Sequence, residues 1–309
     1  MIDHRIKFRH LQAFVEVARQ KSVIKAAEIL HVSQPAVTKT IRELEEVLSV
    51  GLIERDGRGI RITRYGEVFL RHAGATLAAL NHAVDSVSQE AIRSGPPVRV
   101  GALPTVSTRI MPVAMKTFLL ENTGSPVKIV TGDNAVLLEQ LRLGELDLVL
   151  GRLAAPEKMA GFSFEHLYSE QVVFTVRVGH PLLSGEKLVE RMREFPVLMP
   201  THNSIIRPLV DHFLIANGIP AFPNQIETIS DAFGRAFAKI SDAIWVISEG
   251  VVAGDIGEGT LAALPIDCSA TRGPVGLTQR TDAIASLPQS LLMQAIRNAA
   301  AKATVPGGT

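Results

Sequence analysis

The chain has 309 residues and a single cysteine, Cys268. That scarcity excludes an intrachain disulfide and a cysteine-based zinc site, and it fits a reducing compartment. No apolar run reaches membrane-spanning length. The opening stretch MIDHRIKFRHLQ is charged and has no apolar segment behind it, so no export signal is expected. The chain also lacks a Walker Gly-rich loop, a G-x-G-x-x-G after a strand, a G-x-S-x-G elbow and an HExxH helix. These absences leave no catalytic residue, metal ligand or cofactor to nominate. They point to a cytoplasmic, non-enzymatic protein without membrane partners.

The overall charge is nearly balanced, at +1, but unevenly spread. Residues 1–72 hold 13 Lys and Arg against 9 Asp and Glu, so the rest of the chain carries a net negative charge. A basic head on an acidic body favours a polyanionic partner for the head.

The first fifty residues read as three helices. Phe8, Leu11, Phe14, Val15 and Ala18 share one helical face. Ser22 can cap a second helix over 23–30, and His31-Val32 forms the turn. Ser33 can cap a third helix running to about Leu48, with Pro35 in its first turn, where a missing N–H costs nothing. Val37, Ile41, Leu44 and Leu48 must then face a core, leaving Thr38, Lys39 and Arg42 on the opposite side. Residues 52–63 read as two short strands around the turn Asp56-Gly57-Arg58-Gly59. A long helix is expected over 64–93, whose stripe Tyr65, Phe69, His72, Thr76, Leu80, Ala83 and Val87 fits pairing with another helix. Gly95-Pro96-Pro97 ends it. Beyond Val98, short apolar strands alternate with helices, the pattern of an α/β body with parallel sheets.

Two helices joined by a tight turn, the second opening Ser-Gln-Pro, describe a helix-turn-helix. Such a helix enters the major groove by its N-terminal end, so short polar residues there meet base edges. Gln34 can pair with adenine, Lys39 with guanine acceptors, and Pro35 or Thr38 can touch a thymine methyl. Ser33 can hold a phosphate at the helix N-terminus. Arg55, Arg58 and Arg61 on the hairpin can neutralise phosphates or enter the minor groove. A bare helical hairpin with a solvated polar face is the competing reading, and the basic hairpin with its long helix weighs against it.

The segment LQAFVEVARQKSVIKAAEILHVSQPAVTKTIRELEEVLSVGLIERDGRGIRITRYGE resembles the DNA-binding domain of LysR-type transcriptional regulators. Ile62 and Leu52-Ile53 depart from the usual residues without changing the chemistry. The resemblance extends over the whole chain. It implies an α-helical winged helix-turn-helix over 1–63, a dimerisation helix over 64–95, and an α/β two-subdomain sensor like a periplasmic binding protein over 96–309. Subdomain I would take about 96–167 and 266–305, and subdomain II about 168–265. The DNA contacts it implies are Ser33, Gln34, Pro35, Thr38, Lys39, Arg42, Arg55, Arg58, Arg61 and Thr63. In the sensor, three loops follow strands, and the resemblance makes Thr105, Ser107, Asn134, Thr201, Asn203 and Ser204 effector contacts. Ordinary helix capping explains each of those hydroxyls and amides equally well.

His202 lies beside the expected pocket and is the one histidine with a candidate titrating role. Arg109, Arg152, Arg207, Arg235 and Lys239 are candidate partners for an anionic effector, with Arg207 closest in sequence to the third loop. Asp231 and Asp242 could instead pair with Arg235 and Lys239. Glu43, Glu45 and Glu46 read as solvated charges and helix-pair ions. The stretch RLGELDLVLGRLAAPEKMAGFSFEHLYSE is similar to the branch of the family holding a protocatechuate-operon regulator and a sugar-uptake regulator. It implies activation of a catabolic operon by a small carboxylate such as an aromatic ring-cleavage acid. Promoter DNA with an inverted repeat, a dimer-of-dimers assembly and RNA polymerase are the further partners implied. A periplasmic-type solute-binding protein and a LysR regulator of sugar uptake are the alternatives.

Overall fold

Apolar spacing in the first fifty residues becomes three packed helices, α1 (Phe8–Gln20), α2 (Val23–Ile29) and α3 (Gln34–Leu48). The computed structural model describes residues 4–57, 59–90, 96–184 and 187–304. Phe14, Val17, Ala26, Val37, Ile41, Leu44 and Leu52 are buried together, and Ala26-Ala27 lets α2 approach its neighbours closely. Ser22 and Ser33 cap α2 and α3 as expected, each hydroxyl oxygen accepting from a backbone N–H three residues on. The antiparallel hairpin β1 (Ile53–Asp56) and β2 (Gly59–Ile62) turns through Gly57, whose φ of +57° favours glycine. Arg58 lies outside the described residues.

Glu45 is not the solvated charge that its neighbours suggest. Its Oε1 accepts from the backbone N–H groups of Leu52 and Ile53 at 2.7 and 3.2 Å, fixing the hairpin to α3. Helix α4 (Arg64–Glu90) follows, capped by Thr63, whose Oγ1 accepts from Gly66 N–H. The expected end of α4 at Arg93 falls outside the described residues. Tyr65, Leu80, Val84 and Val87 stand exposed along it.

The chain divides into two compact units, residues 1–96 with 139–146, and residues 97–138 with 147–309. The second unit opens with β3 (Val98–Ala102), α5 (Pro104–Arg109), α6 (Met111–Leu120), β4 (Val127–Thr131), α7 (Asn134–Arg142), β5 (Leu148–Arg152) and β6 (Phe162–Glu170). It continues with β7 (Val172–Arg177), α8 (Leu188–Arg191), β8 (Val197–Met199), α9 (Arg207–Ala216), β9 (Gln225–Glu227), α10 (Asp231–Ile240), β10 (Ile244–Ser248), α11 (Glu249–Gly257) and β11 (Leu261–Ala263). It closes with β12 (Gly273–Arg280) and α12 (Leu287–Thr304).

These strands form two five-stranded sheets, in the orders β4-β3-β5-β12-β6 and β11-β7-β10-β8-β9. Each is mixed rather than purely parallel: β12 runs antiparallel to β5 and β6, and β7 antiparallel to β10 and β11. In the first sheet the parallel reading failed because β6, FSFEHLYSE, lacks an apolar run and β12 opens with Gly-Pro, so neither reads as a strand. Each sheet is the centre of one lobe. The chain passes between the lobes at Gln171, joining β6 to β7, and again between β11 and β12. Cys268 sits on that second passage, buried in the core cluster that also holds Phe174, Val197 and Leu264.

Two glycines test this packing in opposite directions. A Cβ on Gly66 would lie 2.1 Å from the carbonyl oxygen of Leu52. Gly66→Ala should therefore destabilise by roughly 1–3 kcal/mol through overpacking. Gly254, on α11, has open space around it, and Gly254→Ala should stabilise by roughly 0.5–1 kcal/mol. Denaturant unfolding of the two variants measures both, and a neutral Gly66→Ala would contradict the close approach.

Candidate functional site

Gln34, Pro35, Thr38, Lys39 and Arg42 line one shallow surface on α3, together with Glu43 and Glu46. They lie there because Val37, Ile41 and Leu44 claim the buried side of the helix. Thr38 donates to the Gln34 carbonyl at 3.0 Å, and the Lys39 side chain is 79% exposed. Glu43 lies 3.9 Å from Lys39 Nζ. His10 Nδ1 accepts from Lys7 N–H, so Nε2 carries the proton and reaches Glu43 at 3.3 Å, while Arg9 donates to it at 2.9 Å. The Arg9 and His10 hydrogen bonds hold the Glu43 carboxyl below the usual carboxylate range. Its charge is thereby compensated from α1, and the face stays net basic.

On the hairpin, Arg55 is exposed and Arg61 bonds across the ladder to Glu54 at 2.8 Å. Thr63 stands apart from the rest. Its hydroxyl donates to Gly51 O at 2.7 Å and accepts from Gly66, so both of its hydrogen-bonding roles are filled inside the domain. Ser33 likewise has its hydroxyl oxygen engaged in the cap.

In the second unit, strand ends from both sheets converge on two adjoining cavities. One, of about 330 Å³, is walled by Leu103, Ile205, Ile229, Trp245 and Ile247, with Asp133 and Asp231 at its edge and no Lys or Arg among its lining residues. Burial pushes the Asp231 carboxyl up against the opposing pull of Arg235. The other, of about 790 Å³, is lined by Arg152, Lys158, Arg272 and His202, with Asp133 as its single carboxylate. Asp133, Asn134, Ser204 and Ile205 border both. An anion is therefore favoured in the larger chamber and an apolar group in the smaller. Among the described residues no group of three or more His, Cys, Asp and Glu is placed to hold a metal ion, and no helix is long and apolar enough to cross a membrane.

Of the residues expected to bind an effector, Asn134, His202, Asn203 and Ser204 line these cavities. Thr105, Ser107, Thr201 and Arg207 do not. Thr105 is buried and donates to Glu170. The Ser107 hydroxyl turns back to the Pro104 carbonyl. Thr201 Oγ1 is buried without a partner and lines neither chamber. Arg207 is 8% exposed and already satisfied, donating to Asp211, to Glu227 and to the Pro200 carbonyl, each at 2.8 Å. Burial works against its charge, but the hydrogen bonds to Glu227 and Asp211 outweigh it and hold the guanidinium above its ordinary value.

The other candidate cations also separate. Arg235 and Lys239 pair with Asp255 at 2.8 and 2.7 Å, rather than with Asp231 or Asp242, and Asp242 takes Arg177 instead. Arg109 donates to the Ala303 carbonyl. Arg152 alone of the five lines the cleft. Lys158, Arg272 and Trp245 had not been anticipated. Arg272 joins the wall through the antiparallel pairing of β12, which sequence periodicity does not reveal.

The profile described as bacterial regulatory helix-turn-helix protein, lysR family, matches residues 8–67, and the LysR substrate binding domain profile matches residues 93–301. The chain is 75% identical to the HTH-type transcriptional regulator PcaQ of Agrobacterium fabrum, over 97% of each sequence. Among solved structures it resembles full-length LysG of Corynebacterium glutamicum with bound effector Arg, at a TM-score of 0.60 and 17% identity, covering 96% of this chain and 99% of that one. It also resembles full-length CbnR complexed with target DNA, at a TM-score of 0.54 and 22% identity, covering 95% and 100%. At those identities the structural likeness is one of fold.

The Arg207–Glu227 pair carries a pH signature. Its hydrogen bond from Arg207 holds the Glu227 carboxyl below the ordinary 4.5. The pair's stabilisation is complete above 4.5 and is lost as pH falls through the lowered folded value. Melting temperatures taken from neutral to acid pH should fall less steeply below 4.5 for Glu227→Gln than for the wild type, from a lower neutral starting point. Parallel curves would show that the pair contributes nothing.

Proposed function

Because the chain belongs to the LysR family of transcriptional regulators, we propose that it binds promoter DNA through α3 and the β1–β2 wing and is controlled by a small anionic metabolite held in the sensor cleft. The observation that carries the second half is the division of that cleft, with Arg152, Lys158 and Arg272 around one chamber and Trp245 with aliphatic side chains around the other. Such a division fits an unsaturated or ring-derived body bearing carboxylates. The 75% identity to PcaQ supports an aromatic ring-cleavage acid and activation of a catabolic operon. A neutral sugar would bring no negative charge to a chamber lined by Arg152, Lys158 and Arg272, so the sugar-uptake reading is the weaker one. The helix-turn-helix on the same chain weighs against a solute-binding protein of the periplasmic type.

On DNA, Gln34 and Lys39 read base edges while Arg42, Arg55, Arg58 and Arg61 meet phosphates, with Ser33, Pro35, Thr38 and Thr63 at the margin of that surface. The exposed Tyr65, Leu80, Val84 and Val87 on α4 form the dimerisation stripe, which presents two recognition helices to an inverted repeat. Sensor contacts then make a dimer of dimers in the cytoplasm that engages RNA polymerase. Ligand acts through its difference in affinity between two assembly states.

Gln34→Ala should cost roughly 1–3 kcal/mol on cognate DNA and little on scrambled DNA. Arg55→Ala should weaken both alike and reduce the salt slope by about 0.9. Equal losses for Gln34→Ala on the two sequences would remove its base-reading role. For the effector, the full chain is titrated with aromatic acids, their ring-cleavage acids and sugars, following Trp245 emission and thermal stability. A selective upward melting shift with a di- or tricarboxylate is expected. A shift with sugars alone would reverse the choice between the two readings.

A further inference from the structure

Arg152 is the last residue of β5 and is 4% exposed, yet it forms part of the wall of the larger chamber. Its Nη2 donates to the Glu170 carbonyl at 3.0 Å, on the first passage between the lobes. Its Nη1 donates to the Thr271 carbonyl at 3.3 Å, on the second passage. Its Nε faces Glu170 Oε1 at 3.6 Å and makes no hydrogen bond. The two passages also hold each other, since Thr271 Oγ1 accepts from Val172 N–H at 2.9 Å and donates to the Cys268 carbonyl.

The Glu170 carboxylate spans the lobes in turn. It accepts from the Thr105 hydroxyl at 2.7 and 2.8 Å on α5 and from the backbone N–H of Gly250 on α11. Two glycines make room for this cluster. A Cβ on Gly250 would lie 2.4 Å from Thr105 Oγ1, and one on Gly273 would lie 2.8 Å from Arg152 Nη1. Burial pushes the Glu170 carboxyl up and the Arg152 guanidinium down, each partly offset by the other's charge. The pair is thus buried and incompletely satisfied, a condition in which a better-placed anion can compete.

We infer that Arg152 is a staple between the ligand cleft and the hinge: a carboxylate in the larger chamber takes the guanidinium from the Glu170 and Thr271 carbonyls, releasing both passages between the lobes together. The guanidinium is a rigid planar fork, so turning it to grip a carboxylate at two points moves Nη1 and Nη2 away from those carbonyls. The inference rests on the carboxylate reading of the cleft.

The test uses the full chain, with cis,cis-muconate and benzene-1,2,4-tricarboxylate as probes. Binding is followed by Trp245 emission, and hydrogen exchange is followed in peptides covering 168–175 and 267–275. In the wild type, a saturating probe should speed exchange at both passages twofold or more. Arg152→Gln should show that faster exchange without ligand, bind the probes at least tenfold more weakly, and respond no further. Arg152→Lys should keep much of the binding and lose the exchange response, separating charge from the two-carbonyl fork. Should Arg152→Gln fail to fold, Gly273→Ala displaces the guanidinium from outside and should speed exchange at both passages. Wild-type binding with no change at either passage, or unchanged binding and exchange in Arg152→Gln or Gly273→Ala, overturns the staple while leaving the carboxylate cleft intact. Failure of the wild type to bind either probe overturns the carboxylate reading and the staple with it.

Discussion

The sensor half depends on what happens to polar groups buried where the chain passes twice between two sheets. Leaving backbone carbonyls unpaired in such a buried setting costs free energy comparable to a lost hydrogen bond. The protein supplies donors from side chains, Arg152 to two carbonyls and Thr271 to a third, and accepts N–H groups on Thr271 Oγ1 and on Glu170. Glycine at 250 and 273 follows from the same need, since a methyl group at either position would collide with those donors and acceptors.

Arginines in this fold do two different jobs with the same chemistry. Arg207 is surrounded by Asp211, Glu227 and a carbonyl, so its donors are spent and it braces the start of α9. Arg235 is similarly spent on Asp255 and the Val251 carbonyl. Arg152 has one carboxylate nearby at imperfect geometry and an open chamber beside it. Arg207 and Arg235 each reach a carboxylate at hydrogen-bonding distance, whereas Arg152 Nε faces its carboxylate at 3.6 Å without a bond.

The DNA-reading half was legible in the sequence because its signals are local. Helix spacing, two serine caps, Pro35 and the Asp-Gly turn each act within a few residues and agree with one another. In the sensor, Asn134, Asn203 and Ser204 line the larger chamber from strand ends picked out by local signals. They misplaced Thr105, whose hydroxyl belongs to Glu170 across 65 positions of sequence, a partnership no periodicity encodes. Arg207 has one partner, Asp211, at helical spacing, but its other carboxylate, Glu227, lies twenty residues on and beyond any local pattern. Arg272 depended on recognising β12, a strand hidden by its Gly-Pro opening, and Lys158 lies in a short turn at 156–158 that carries no periodic signal.

The buried setting of the second passage also decides its chemistry toward oxidants. Cys268 is the chain's sole thiol, and burial with the neighbouring Asp267 pushes it up to about 11. The thiolate is the species that attacks peroxides and alkylating reagents, so at neutral pH this sulfur is held in its unreactive form. The chain's one thiol, set at the second passage between the lobes, is therefore a poor target for oxidants at neutral pH.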